Sequence, residues 1–364
     1  MSAKRINLLR KKMQKDNLDG LILTQFDWMD GRASVLRYLI GFSGSTGILV
    51  IGPRRADFFT DFRYAEQCKK EIKGARVHIV DGDLIGALKE FTQLAPKNMR
   101  YGIDHSRMTV EIQGKLRHAW PDVLLTRGGS AIADLGWVKD KAELADIARA
   151  VEISDAAFER TLALLQPGIR EREIAAELEY QMMMLGSEIA AFETIVASGP
   201  RSALPHGAAS TKKIRKGEFV TFDFGATYKG YVSDITRTVV VGKATARQKK
   251  IYNIVLRAQL AGVRKIKAGV SGKAVDDACR KIITRAGYGK NFGHGTGHGI
   301  GYFVHIGPRL SQLSKDKLIA GEVVTVEPGI YIPGWGGVRI EDDVVVTRTG
   351  GRVLNRTPKN LLEL

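Results

Sequence analysis

Residues 217–241, GEFVTFDFGATYKGYVSDITRTVVV, decide how the second half of this chain is read. Phe219, Thr221 and Asp223 alternate with Val220, Phe222 and Phe224, and β-branched and aromatic residues dominate, which predicts a strand. Tyr228-Lys229-Gly230 is the turn-like break, after which residues 231–241 return as a second strand. A loop at Tyr228-Lys229 sets Asp223 opposite Asp234, with Cβ atoms roughly 4.5–5.5 Å apart. A bulge at Gly230 would shift this register by one. Carboxylates inside buried strands are rare unless paired or bound to a cation. The two aspartates are therefore either salt-bridged, with Arg237 the obvious partner, or metal ligands.

Two internal matches extend the reading. QPGIREREIAAELEYQMMMLG (166–186) aligns without gaps to KAGVSGKAVDDACRKIITRAG (267–287), an offset of 101. This pairs Gly168 with Gly269, Ile169 with Val270, Ile174 with Val275 and Gly186 with Gly287. GEFVTFDFG (217–225) aligns to GEVVTVEPG (321–329), an offset of 104. Two matches in the same order at nearly the same spacing predict a duplicated helix-then-strand unit. The second superposes Asp223 on Glu327, and each half returns on a strand with another acid, Asp234 in SDITRT and Glu341 in GGVRIEDDVVV. Four carboxylates brought to one centre repel one another unless cations sit among them. Oxygen-rich ligation with an imidazole suits Mn, Co or Zn, and two ions bridged by carboxylates sit roughly 3.5–4 Å apart. The imidazole candidates, His294, His298 and His305, lie in NFGHGTGHGIGYFVHIGP. Its glycines permit close backbone packing, and it matches neither the G-x-G-x-x-G nor the Walker pattern.

At 364 residues, two domains are the natural expectation. A hydrophobic share of 44% and a mean hydropathy of −0.12 describe a globular chain. No run approaches the roughly 18 apolar residues of a membrane span. The N-terminus, MSAKRINLLRKKMQKDNLDG, has no apolar h-region; it predicts an amphipathic helix with Ile6, Leu9 and Met13 inward rather than a signal peptide. Two cysteines, Cys68 and Cys279, lack metal-type spacing and fit a reducing cytoplasm. The net charge of +17 is scattered along the chain, without finger or RNP motifs, so no specific nucleic-acid partner is expected. Short apolar runs alternating with helix-like stretches (84–94 and 110–119) predict an α/β first domain with a mixed sheet. Leu135-Gly136-Trp137 marks a boundary, and beyond it Leu144, Ile147, Val151, Phe158 and Leu162 predict a long helix ending at Gln166-Pro167-Gly168, with Ser154 interrupting its stripe.

Taken together, SALPHG, FDFGATYKGYVSDITRT, FGHGTGHGIG, VEPGIY and GVRIEDD resemble the proline-specific aminopeptidases and prolidases of the pita-bread metallopeptidases, relatives of methionine aminopeptidase and creatinase. RYLIGFSGSTG and FTDFRY are similar to that family's creatinase-type N-terminal domain. The resemblance implies an α/β creatinase-like domain over 1–136 and an α+β pita-bread catalytic domain with a pseudo-two-fold repeat over 137–364. It implies that Asp223, Asp234, His298, Glu327 and Glu341 hold two divalent metal ions, Mn favoured over Co or Zn, with Asp234 and Glu341 bridging. His206, His294, His305 and Arg339 are implied on the substrate side, and Glu327, His206 and His305 in catalysis. The implied activity is hydrolysis of the N-terminal Xaa-Pro bond of dipeptides or longer peptides by a hydroxide held between the ions. The implied enzyme is a cytoplasmic homodimer with no membrane partner. One departure is visible: Ile306 stands where prolidases usually have an acid. The competing readings are a methionine-type aminopeptidase, which usually lacks the N-terminal domain, and a catalytically inactive binding module, which typically loses ligands.

Overall fold

The computed structural model describes residues 2–26, 35–94 and 96–364. The chain divides into two units, Met1–Leu135 and Gly136–Leu364. The first opens with α1 (Ser2–Lys15), which buries Ile6, Leu9 and Met13 as their spacing predicts. Its strands are β1 (Gly20–Gln25), β2 (Gly47–Ile51), β3 (Ala56–Thr60), β4 (Arg76–Ile79), β5 (Arg100–Ile103) and β6 (Leu124–Arg127). They form one sheet in the order β4-β3-β2-β1-β5-β6. The central strands pair antiparallel and the outer ones parallel, so the sheet is mixed, as expected. Between the strands run α2 (Val35–Ile40), α3 (Ala65–Glu71) and α4 (Val110–Ala119), with α5 (Gly129–Ala133) at the end. Residues 84–94, expected to be helical, form a 3-10 segment, Gly86–Leu94, interrupted at Phe91. His78 is structural: its ring stacks on Phe59 and its Nε2 lies 2.9 Å from Asp57 Oδ1.

The second unit starts on α6 (Lys141–Leu162), whose N-cap Asp140 accepts from the Ala142 and Glu143 N–H groups. Ile147, Val151 and Phe158 are buried. Ser154 interrupts that stripe for a reason: its Oγ lies 2.8 Å from Ser233 Oγ and accepts from the Ala226 N–H. The helix stops short of the expected Gln166-Pro167-Gly168 signal.

Beyond α6 the second unit is built twice. The first copy comprises α7 (Glu171–Met184), β7 (Ile195–Ser198), β8 (Phe219–Phe224), β9 (Thr227–Tyr228), β10 (Tyr231–Val232) and β11 (Ile235–Val240). After α8 (Ala246–Lys265) the second copy begins with α9 (Gly272–Arg285). It continues through β12 (Gly297–Gly299), β13 (Ile306–Leu310), β14 (Val323–Val326), β15 (Gly329–Ile332), β16 (Gly336–Arg339), β17 (Asp342–Val346) and β18 (Gly351–Val353). The sheets run β11-β8-β7 and β13-β12-β14-β17-β18, with β9/β10 and β15/β16 as paired hairpin tips. The glycines matched between the copies share a left-handed backbone: Gly186 and Gly287 have φ of 102° and 90°. Each closes its helix with the same pair of bonds, Gly186 N to Met183 O and Ser187 N to Met182 O in one copy, Gly287 N to Thr284 O and Tyr288 N to Ile283 O in the other. The Gly168 and Gly269 N–H groups donate to Ile214 O and Leu318 O, both at 2.8 Å. Each copy has its own apolar core, one around Phe158, Leu178 and Phe222, the other around Val255, Cys279 and Val324. The duplication read from the sequence is a duplication of structure.

Candidate metal centre

The first hairpin corrects the expected register. Tyr228 pairs with Tyr231 and Phe224 with Ile235, so the two-residue loop is Lys229-Gly230. Both loop residues have positive φ, 49° and 80°, as a primed turn requires. Asp223 therefore lies opposite Thr236, not Asp234. The expectation failed because Lys229, rather than Tyr228, takes the first left-handed position, with Gly230 free of a Cβ at the second. Since side chains alternate with period two, a shift of two keeps Asp223, Asp234 and Thr236 on one face, the aspartates as diagonal neighbours.

In the second hairpin Val326 pairs with Asp342 and Gly329 with Arg339. Carrying that pairing through puts Glu327 opposite Glu341. The two hairpins are joined by the Glu341 N–H donating to Thr236 O at 3.1 Å and the Arg339 N–H donating to Thr238 Oγ1 at 3.2 Å. His298 arrives on β12, between β13 and β14. Its neighbours must be glycine: a Cβ on Gly297 would sit 2.1 Å from Thr325 O, and one on Gly299 2.1 Å from Gly307 O.

Ligand atoms of Asp234, His298 and Glu341 lie within 4.8 Å of one another. His298 Nε2 is 3.7 Å from Asp234 Oδ2 and 3.6 Å from Glu327 Oε1. Burial, then Glu341 and Asp223, push the Asp234 carboxyl well above the usual range. Burial, then Glu327 and Asp223, do the same to Glu341. Burial lifts Glu327 to about 7 against the pull of Arg339. His298 is pushed down to about 3 by burial and by His305, so its imidazole is neutral. Its Nδ1 lies 3.2 Å from Gly299 O, which favours the proton there and leaves the Nε2 lone pair facing the acids.

Arg237 does not relieve the acids, because it pairs with Asp342. Arg339 does reach them: Nη2 donates to Asp223 Oδ2, Nε to Thr236 Oγ1 at 2.9 Å, and Nη1 to Tyr331 OH at 2.8 Å. One guanidinium against four carboxylates leaves the cluster short of positive charge. Carboxylate oxygens with a neutral imidazole nitrogen are a fitting donor set for divalent cations such as Mn, Co or Zn.

His294 stands aside from the ligand atoms, its Nε2 2.9 Å from Tyr331 OH, and burial lowers it to about 4. His305 is exposed, with its ring 4.3 Å from that of His298. His206 is exposed on the segment after β7, close enough to lower both His294 and His305 by its charge. Ile306 opens β13. Three contributors were not singled out from the sequence. Thr236 Oγ1 donates to Glu341 Oε2 at 2.6 Å, Asp343 Oδ2 accepts from the Asp234 N–H at 3.0 Å, and Tyr331 bridges Arg339 and His294. Thr236 and Asp343 each lie two residues after an acid of the cluster, so the period-two rule would have found both; Tyr331 carries no such signal.

Residues 145–348 match Metallopeptidase family M24, and residues 5–135 match the Creatinase/Prolidase N-terminal domain. A Bacillus subtilis peptidase is 42% identical over 360 residues, covering 99% of this chain and 100% of its own length. An Xaa-Pro dipeptidase of Pyrococcus horikoshii is 48% identical over 231 residues, 64% of this chain and 66% of its own. Among solved structures, an Xaa-Pro dipeptidase from Bacillus anthracis superposes with a TM-score of 0.93 at 42% identity, both chains covered in full. An X-Pro aminopeptidase from Thermotoga maritima gives 0.90 at 36% identity, covering 99% of each. The two kinds of domain expected from the resemblance, and their order, are borne out.

Proposed function

This chain belongs to metallopeptidase family M24, and on that premise we propose that it hydrolyses the N-terminal Xaa-Pro bond of peptides at the cluster between its two hairpins. It is a metal-dependent exopeptidase. The observation that carries the reading is the approach of Asp234, His298 and Glu341 within 4.8 Å, with Glu327 on the same imidazole. Asp223, Asp234, His298, Glu327 and Glu341 would hold two divalent ions, Mn favoured. Ions bound there supply Lewis acidity and make water acidic enough to attack near neutral pH.

The chain's own residues do the rest. Glu327, beside the ligand imidazole, carries the proton of the attacking water to the leaving nitrogen. That delivery is obligatory, because the nitrogen of an Xaa-Pro bond is a tertiary amide and departs only when protonated. His305 and His206, both exposed, donate to the developing oxyanion and the substrate carbonyl. His294 and Arg339, linked through Tyr331, complete the substrate side. The proline preference is supported by the relatives named Xaa-Pro dipeptidase and X-Pro aminopeptidase. A cytoplasmic homodimer is part of the same reading; both cysteines are free and buried, which suits a reducing compartment. Among the described residues no helix is long and apolar enough to cross a membrane.

The test compares Ala-Pro-X with Ala-Ala-X peptides before and after chelation, then with Mn or Co restored. Cleavage of Ala-Pro-X that disappears on chelation and returns with metal is expected. Xaa-Pro cleavage persisting after complete metal removal would sink the mechanism, and preference for Met-Ala-X would overturn the substrate class.

A further inference from the structure

Glu171, the first residue of α7, has a fully buried side chain away from the metal cluster. A buried carboxylate needs several donors to be tolerated, and Glu171 has five. Its Oε1 accepts from Ser198 N–H and Ser198 Oγ, both at 2.8 Å. Its Oε2 accepts from Ser210 N–H at 3.1 Å, from Ser210 Oγ at 2.6 Å, and from the Arg201 guanidinium. Ser198 ends β7, and Ser210 lies on the far side of the loop that contains His206. One carboxylate thus clamps both feet of this loop. Arg201, held by the same carboxylate, ties the loop to itself by donating to Ala208 O at 2.8 Å. Further along, Arg339 Nη1 donates to Pro205 O at 3.2 Å, the residue before His206, and Ser202 Oγ accepts from the Gly337 N–H at 2.8 Å. The loop is therefore fixed to the second hairpin at its middle and to Glu171 at its base.

We propose that Glu171 is a positioning residue that acts through His206, holding that imidazole where it meets substrate. The proposal rests on the reading of His206 as a substrate-side group. Glu171→Gln keeps size and shape but turns one acceptor oxygen into an NH2 that faces donors. Displacing the loop by a fraction of an ångström to an ångström is expected to lower kcat/KM for Ala-Pro substrates about ten- to a hundredfold. Metal content per chain, measured by atomic emission, is expected to stay at the wild-type value.

The deciding readout is a double-variant cycle with His206→Ala. If Glu171 acts through His206, E171Q costs nothing further in the H206A background. Losses that add, an E171Q enzyme with wild-type kcat/KM, or an E171Q protein that loses metal would overturn the proposal. A fully active H206A enzyme would instead remove the substrate-side reading of His206, and the proposal with it. Should E171Q not fold, Ser210→Ala deletes a single hydroxyl donor and keeps the charge. Its loss is read in the same cycle: non-additive with H206A supports the coupling, additive overturns it.

Discussion

Each half of the repeat lends an arginine to an aspartate of the other, and the two ion pairs lie on opposite faces of the joined hairpins. On one face Arg237 of β11 donates to Asp342 of β17 at 2.8 Å, with side chains 2% and 0% exposed. Lys359 and Gln259 also donate to Asp342. Burial alone would push that carboxyl up, yet Arg237 and Lys359 leave it below its ordinary value. On the other face Arg339 of β16 meets Asp223 of β8, but Asp234, Glu327 and Glu341 crowd the same space and all three are raised. The chemistry of the two pairs is the same and their surroundings are not. Asp342 is matched by side-chain cations and stays charged, as a structural acid should; the crowded acids are denied that match, which is what the proposed metal site requires.

The largest effect that would test this contrast is Asp234→Asn. Hydrolysis of Ala-Pro-X is expected to vanish while the urea midpoint stays put or rises, because one of several mutually repelling buried carboxylates has gone. A variant that unfolds under native conditions would make Asp234 a structural acid like Asp342. Arg237→Met probes the opposite face. Breaking a buried pair by removing one partner costs about 3–5 kcal/mol, and Asp342 would keep only Lys359 and Gln259. Chemical unfolding should show that loss, while the folded fraction retains its metal. If Arg237→Met is nearly neutral in stability but loses metal, the division of labour between the faces is wrong.

A third test uses pH, where the two faces carry opposite signs. In metal-free protein the Glu327 carboxyl sits at about 7 against an ordinary 4.5. Across that window the native chain holds a proton that the unfolded chain has lost, so this group's contribution to stability falls as pH rises. Asp234 and Glu341, raised for the same reasons, act in the same direction. Asp342, held low, acts oppositely: its contribution is present above its unfolded value and is lost as pH falls through its folded one. Divalent ions bound at the proposed site would displace the protons of the crowded face. The gain in Tm on adding Mn should therefore grow between about pH 4.5 and about pH 7. A gain that is flat or shrinks over that range would contradict the shortage of cations.

How much of the fold and site was legible in the sequence depends on what kind of signal each feature leaves. Asp223 and Asp234 stood out because a carboxylate inside an apolar alternation is anomalous on its own. Glu327 and Glu341 stood out because the repeat carries them to equivalent places. The register was not legible, since a shift of two leaves every residue on its original face and the pattern of alternation unchanged. The exchange of arginines was hidden for a similar reason. Arg339 sits within four residues of three acids and Arg237 three residues after one, and only the crossing of the hairpins decides which acid each one meets. Glu171 gave no signal, because its partners Ser198, Arg201 and Ser210 are brought to it by the turn of a distant loop.

The smallest expected effect falls on Thr236, which stands where the crowded face meets its one guanidinium. Its Oγ1 accepts from Arg339 Nε at 2.9 Å and donates to Glu341 Oε2 at 2.6 Å, so a single hydroxyl aims one acid and occupies one cationic donor. Thr236→Val keeps the branched shape and removes the relay. Losing such a partner of a ligand typically weakens metal binding about 10–100-fold, which calorimetric titration with Mn would read. Thr221 provides the comparison, for its hydroxyl meets Thr238 at 3.1 Å, farther along the same pair of strands. Thr221→Val should cost no more than about 1 kcal/mol of stability and leave Mn affinity unchanged. Equal Mn affinity in the two variants would mean that Glu341 is oriented by backbone position alone. Arg339 would then act on Glu341 only through its charge.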